Sequence, residues 1–187
     1  MSKVICGNTL GTGNFVNVKV AVIQANKMLG LDDFYRQIAQ HSSFDSADAT
    51  PALIATFMRD ANITMTLDLY HSPWPELNID GYDDTDEPQK IHLNIWRTNR
   101  SPESICNSII HAFVHAVNAL HPGHGFGHGD SLLTGKENTA PYWIGALAQR
   151  LLSAEDPIII QLEHEPGLNV AGVQQHTSFA VSEPVYH

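Results

Sequence analysis

Basic residues are scarce in this chain of 187 residues, which has 10 Lys and Arg against 20 Asp and Glu and a formal net charge of −10. No cluster of Lys or Arg stands out, so attraction to the phosphate backbone of a nucleic acid is not expected. The two cysteines, Cys6 and Cys106, form no CxxC pair. A disulfide framework is therefore not expected, and a reducing compartment is the simpler expectation.

Long hydrophobic runs are also missing. The first residues, MSKVICGNTLGTGNF, lack the apolar core of a signal peptide, and no later run reaches the length of a membrane span. We therefore expect no membrane partner. The expected location is the cytoplasm, or the inside of a target cell that the protein enters without a cleaved signal peptide. A hydrophobic content of 43 % is enough for an ordinary core, and the length predicts one domain over residues 1–187.

Apolar periodicity predicts an α+β fold in three parts. The part over about residues 1–60 is mainly helical, the part over about residues 61–155 holds the candidate site, and the tail over about residues 163–187 is loosely packed. Two alternating stretches, Ile63–Tyr70 and Lys90–Trp96, predict strands. Between them, the acidic segment Asn78–Pro88 predicts a solvated loop. Helices are predicted over Ser101–Leu120 and from Thr139 to about Ser153.

Two histidines, His111 and His115, lie four residues apart in the helix predicted over Ser101–Leu120. At that spacing they share one helix face, and both rings can reach one metal ion. In the zinc-peptidase motif H-E-x-x-H, the glutamate is the general base that accepts a proton from water. Ala112 stands at the position of that glutamate. The chain therefore has the metal-binding half of the motif without the base.

A catalytic zinc site takes a third protein ligand, and the histidine- and glycine-rich segment HPGHGFGHGD at 121–130 offers three candidates. His121 stands at the metzincin interval, but Asn118 replaces the glycine of the metzincin turn, and an unbroken helix would point His121 away from the pair. His128 follows glycines that let the backbone fold back toward the helix. Asp130 could bind the metal through its carboxylate, and two histidines with this aspartate would alternatively form a facial triad for non-haem iron.

The order of these elements resembles the SprT-like zincin metallopeptidases. The resemblance covers about Lys90–Asp130 and consists of the extended segment IHLN, the helix with H-x-x-x-H-A and the turn GHGD. It implies a zincin-like fold with a small mixed β-sheet, an active-site helix and flanking helices. It also implies Zn²⁺ bound by His111, His115 and His128.

In a zincin, an edge strand beside the active-site helix pairs with an extended peptide substrate, and Ile63–Tyr70 or Lys90–Trp96 is the expected strand. Tyr142 and Tyr70 are candidate hydrogen-bond donors to a tetrahedral intermediate.

The predicted function is therefore zinc-dependent hydrolysis of proteins or peptides, with the present form nearly inactive because of Ala112. Two explanations fit this alanine. One is a Glu-to-Ala variant of an active peptidase, which the otherwise intact motif favours. The other is a natural zincin-like module that binds metal or a protein without cleaving it. A compact acidic chain fits a protease effector or toxin delivered into another cell, and it fits a housekeeping peptidase equally well.

Overall fold

The structure is a computed structural model that describes residues 1–10, 15–71, 81–83, 87–128, 135–153 and 162–163. At 81–83 and 162–163 only the backbone is described. Asp130 and nearly all of the predicted tail lie outside these residues.

Five strands form one mixed sheet in the described part of the chain, in the order β1-β2-β4-β3-β5. The first three in this order are parallel, β3 runs antiparallel to β4, and β5 runs parallel to β3. Alternation buries one face: in β2, the side chains of Met65, Leu67 and Leu69 point into the core. The strands are β1 (Lys3–Cys6), β2 (Thr64–Tyr70), β3 (Gly81–Asp83), β4 (Lys90–Asn94) and β5 (Leu162–Glu163).

Five α-helices accompany the sheet within the same residues, and the α+β class is confirmed. They are α1 (Val16–Leu29), α2 (Asp32–Ala39), α3 (Pro51–Asp60), α4 (Pro102–Ala119) and α5 (Ala140–Leu152). The start of α4 follows the predicted capping chemistry, since the Ser101 side chain accepts a hydrogen bond from the backbone N–H of Ser104 and proline occupies the first turn. None of the described helices is both long and apolar enough to cross a membrane.

Helix α4 is the centre of the fold. It packs against α1, α5, α3 and β3, and every residue from Ser104 through Val114 is buried. A helix covered on most of its circumference presents its polar side chains to protein rather than to water. The histidines of α4 therefore lie inside the domain, where their orientation is fixed by packing.

The sheet corrects three predictions. Because β2 lies between β1 and β4, and β4 lies between β2 and β3, neither Ile63–Tyr70 nor Lys90–Trp96 is an edge strand. The second of them ends early, since the Asn94 side chain accepts from Trp96 N–H and begins a 3₁₀ turn. The segment Asn78–Pro88 is not wholly a loop, because Gly81–Asp83 pairs with β4. Three residues are too few to show alternation in the sequence.

Candidate metal centre

Three histidine side chains converge beside α4. His111 and His115 project from consecutive turns of this helix, and His128 comes from the loop that follows it. The Nε2 atom of His128 lies 3.1 Å from Nε2 of His111 and 2.9 Å from Nε2 of His115. All three candidate ligand atoms lie within 4.8 Å of one another. His111 and His128 are buried, and His115 is half-buried.

These distances fit a shared metal ion. Nitrogen ligands at 2.0–2.1 Å from a tetrahedral zinc lie about 3.3 Å apart, within a few tenths of an ångström of the two Nε2 separations. A hydrogen bond between neutral imidazoles joins only two nitrogens through one proton. Nε2 of His128 lies within reach of two other histidine nitrogens at once, an arrangement that one cation accommodates. The three histidines are therefore close enough to hold a metal ion, whose identity the geometry leaves open.

The loop that carries His128 is fixed to the rest of the fold through its backbone. Phe126 N–H donates a 2.8 Å hydrogen bond to Asn118 Oδ1 in the last turn of α4. Gly125 C=O accepts a 2.7 Å hydrogen bond from Asp48 N–H, which belongs to the segment before α3. The loop is thus held on two sides immediately before His128.

A phenylalanine of α3 supports the same loop and accounts for the position of His121. The Phe57 ring stacks on the His121 ring with a centroid distance of 3.8 Å, and it lies 5.3 Å from His124 and 6.2 Å from the fully buried Phe126. Helix α4 continues through Asn118, so the chain makes no metzincin turn there. The structure therefore places His121 against α3, away from the histidine pair, whereas His128 approaches that pair.

Tyr142 forms one wall of the centre. This residue lies in the first turn of α5 and is buried. Its ring is edge-on to His111, with centroids 4.5 Å apart, and stacks on His128 at 4.8 Å. Tyr142, which the sequence offered as a hydrogen-bond donor, thus contacts two of the three histidines through its ring.

Ala112 is fully buried between the two histidines of α4. Ser108 lies one turn earlier on the same side of the helix, and its hydroxyl accepts a 3.0 Å hydrogen bond from Arg100. The Arg100 guanidinium also donates to the Ser104 hydroxyl at 3.2 Å. The sequence analysis does not single out this polar row of Arg100, Ser104 and Ser108. Its signal is the spacing of four residues, which places such side chains on one side of a helix.

A second missed feature lies in the contact between α4 and α5. Asn107, one turn before His111, donates a 3.0 Å hydrogen bond from Nδ2 to Gln149 Oε1, and both side chains are buried. The two helices approach closely at Gly145, where a Cβ atom would lie 2.9 Å from the backbone oxygen of Asn107. A glycine inside a helix is the signal that could have pointed to this close approach.

Comparison of the chain with protein-family models, with curated proteins and with solved structures finds no match in any of the three.

Proposed function

We propose that this protein is a zincin-like metallopeptidase domain that binds one zinc ion through His111, His115 and His128, in a form that lacks the general base. The observation that carries the proposal is the convergence of three Nε2 atoms, two of them from an H-x-x-x-H helix. Three imidazoles are a ligand set of catalytic zinc sites, in which a fourth position is left for water or substrate. The half-buried His115 marks the side on which solvent comes nearest to the centre.

The arrangement of the sheet supports a peptide as the substrate. Strand β3, which runs antiparallel to β4, lies against α4. The strand beside the candidate active-site helix is therefore β3, and not Ile63–Tyr70 or Lys90–Trp96 as the sequence predicts. An extended peptide that added to this strand would satisfy its backbone hydrogen bonds there and leave its side chains for pockets. Within the described residues β3 is covered on its other side by β5, which pairs with Gly81 and Tyr82. An incoming peptide would therefore have to extend or replace that short pairing.

The roles of the residues follow from their positions. Zinc, when bound, supplies a Lewis acid that polarises a carbonyl group and lowers the pKa of water. The ring of Tyr142 holds the rings of His111 and His128 in orientation. A glutamate at position 112 would accept the proton of the attacking water, whereas the methyl group of Ala112 cannot. Loss of a general base typically lowers the rate on the order of 10² to 10⁴-fold.

The experiment compares Ala112→Glu with Ala112→Gln after zinc loading, using denatured protein mixtures and peptide libraries as substrates. Glutamine has the size of glutamate but cannot act as the base, so only Ala112→Glu is expected to cleave. Adding His115→Ala to Ala112→Glu should abolish the cleavage. Elemental analysis of the parent should find one equivalent of zinc that His111→Ala removes. A zinc-loaded Ala112→Glu protein that cleaves nothing would overturn the peptidase proposal.

A second candidate function is a natural metal-binding or protein-interaction module, and Ala112 is the observation that favours it. This candidate predicts bound zinc without peptidase activity in Ala112→Glu. Iron instead of zinc in anaerobically purified protein would favour the non-haem iron alternative. Expression of Ala112→Glu in bacterial and eukaryotic hosts separates an effector or toxin from a housekeeping peptidase. Toxicity that His115→Ala removes would support the effector role, and harmless high-level expression would argue against it.

A further inference from the structure

Asn118 lies three residues after His115, and its side chain leaves the last turn of α4 to meet the loop that presents His128. Its Oδ1 atom accepts the 2.8 Å hydrogen bond from Phe126 N–H. Phe126 precedes His128 by two residues, and its own side chain is fully buried. The amide oxygen of Asn118 therefore connects the helix of two histidines to the backbone next to the third.

The other side of the same amide faces Gly127. A Cβ atom at Gly127 would lie 3.4 Å from Asn118 Nδ2 and 3.8 Å from the Cε1 and Nδ1 atoms of His115. The backbone of Gly127 thus packs against both the Asn118 amide and the His115 imidazole. Two consecutive loop residues, Phe126 and Gly127, are in this way held against the last turn of α4, directly before His128.

These contacts with the last turn of α4 restrict a glycine-rich segment that would otherwise be free to adopt many conformations. Gly123, Gly125, Gly127 and Gly129 give the segment more backbone conformations than other residues would. Unless these conformations are restricted beforehand, metal binding has to order the loop, and the affinity falls accordingly. The hydrogen bond from Phe126 N–H to Asn118 restricts the loop at the position that matters most for His128.

We propose that Asn118 is a positioning residue of the metal centre, which keeps His128 within reach of His111 and His115 before the metal arrives. This inference rests on the proposed metal-binding function. Groups that orient metal ligands typically contribute 10- to 100-fold to metal affinity. The side chain, and not the backbone, carries this role. The backbone C=O of Asn118 accepts a 3.0 Å hydrogen bond from His121 N–H, and a side-chain substitution leaves that acceptor in place.

The test compares Asn118→Leu, which keeps the approximate size but removes the acceptor, with Asn118→Asp, which keeps an oxygen at Oδ1. Zinc affinity is measured by competition with a chelator, and the absorption spectrum of the Co²⁺ form reports the ligand geometry. We expect Asn118→Leu to bind zinc 10- to 100-fold more weakly with an altered Co²⁺ spectrum, and Asn118→Asp to resemble the parent. Should Asn118→Leu fail to fold, Asn118→Ala replaces it with the same expected and refuting outcomes.

A double-mutant cycle with His128→Ala separates positioning from general stability. If Asn118 acts through His128, then Asn118→Leu has no further effect on zinc affinity once His128 is alanine. The same loss with and without His128 would overturn the inference, and so would a parent-like affinity of Asn118→Leu. Absence of zinc binding by the parent would instead overturn the proposed metal-binding function itself, so the two failures are distinguishable.

Discussion

Zinc should stabilise this protein against unfolding, and His128 should be required for that effect. A ligand that binds only the folded state stabilises it by about 2.7 kcal/mol at a free concentration one hundred times its Kd. For a domain of 150–250 residues, 1 kcal/mol corresponds to about 2–4 °C in melting temperature, so zinc should raise the Tm by roughly 5–11 °C. Without His128, only His111 and His115 remain of the cluster, and most of this increase should disappear.

His121→Ala is the matched control for His128→Ala. Both histidines flank the same loop, but the His121 ring stacks on Phe57 instead of joining the cluster. Its removal should lower the Tm of the metal-free protein slightly and leave the increase caused by zinc intact. The assay is thermal unfolding in a zinc buffer and in excess chelator. Loss of the zinc effect in His121→Ala, together with its retention in His128→Ala, would refute the assignment of His128 as the third ligand.

Three further predictions concern the rest of the fold. Cys6 is exposed, whereas burial raises the pKa of the Cys106 thiol, so an aromatic disulfide reagent should titrate one thiol in the native protein and two in denaturant. On the outer side of β1, Asn26 Oδ1 accepts a hydrogen bond from Val4 N–H and Asn26 Nδ2 donates one to Val4 C=O, each 2.8 Å long. Asn26→Leu removes both bonds and should lower the free energy of unfolding, measured with urea, by about 1–3 kcal/mol. Burial raises the pKa of Tyr35 from 10.0 to about 12, so the phenol ionises at lower pH in the unfolded chain than in the folded protein. This group should leave the free energy of unfolding unchanged below pH 10 and lower it between pH 10 and about 12. Tyr35→Phe should remove that pH dependence.

The helices could be predicted from the sequence because their signals are local. Ser101 immediately precedes α4 and Thr139 immediately precedes α5, and each of these helices has proline in its first turn. Strands β3 and β5 could not be predicted in the same way. They contain three and two residues, and their pairing joins Gly81 to Leu162, so it depends on contacts between distant parts of the chain rather than on a local pattern.

In the candidate site, too, the part that depends on local sequence could be predicted and the part that depends on distant contacts could not. His111 and His115 lie close together because residues four apart in a helix are neighbours on its surface. The approach of a third residue depends on how the glycine-rich loop folds, and that loop rests on Phe57 and Asp48 from outside the motif. Sequence reasoning therefore left several candidates open. It also treated Asn118 only as a departure from a glycine turn, since its contact with the loop is visible only in three dimensions.

The close approach of α4 and α5 allows a prediction in which packing opposes helix propensity. Gly145→Ala should favour helix α5 by about 1 kcal/mol on propensity alone. Its Cβ atom, however, would lie 2.3 Å from Asn107 Oδ1 and 2.9 Å from the Asn107 backbone oxygen. Rotating the amide relieves the first contact but breaks the buried bond to Gln149, which costs about 1–3 kcal/mol. The second contact can be relieved only by moving the helices apart.

Overpacking of this kind typically costs a further 1–3 kcal/mol, so Gly145→Ala should reduce the free energy of unfolding by a net amount of about 1–5 kcal/mol. Asn107 precedes His111 by one turn and Tyr142 precedes Gly145 by three residues, so separation of the helices here also shifts the Tyr142 ring relative to His111. Zinc affinity should therefore fall together with stability. Asn107→Ala in the same protein removes the Oδ1 contact but leaves the backbone oxygen, and it should rescue neither property. An increase in stability on Gly145→Ala, measured by urea unfolding, would mean that the two helices are not in contact at this position.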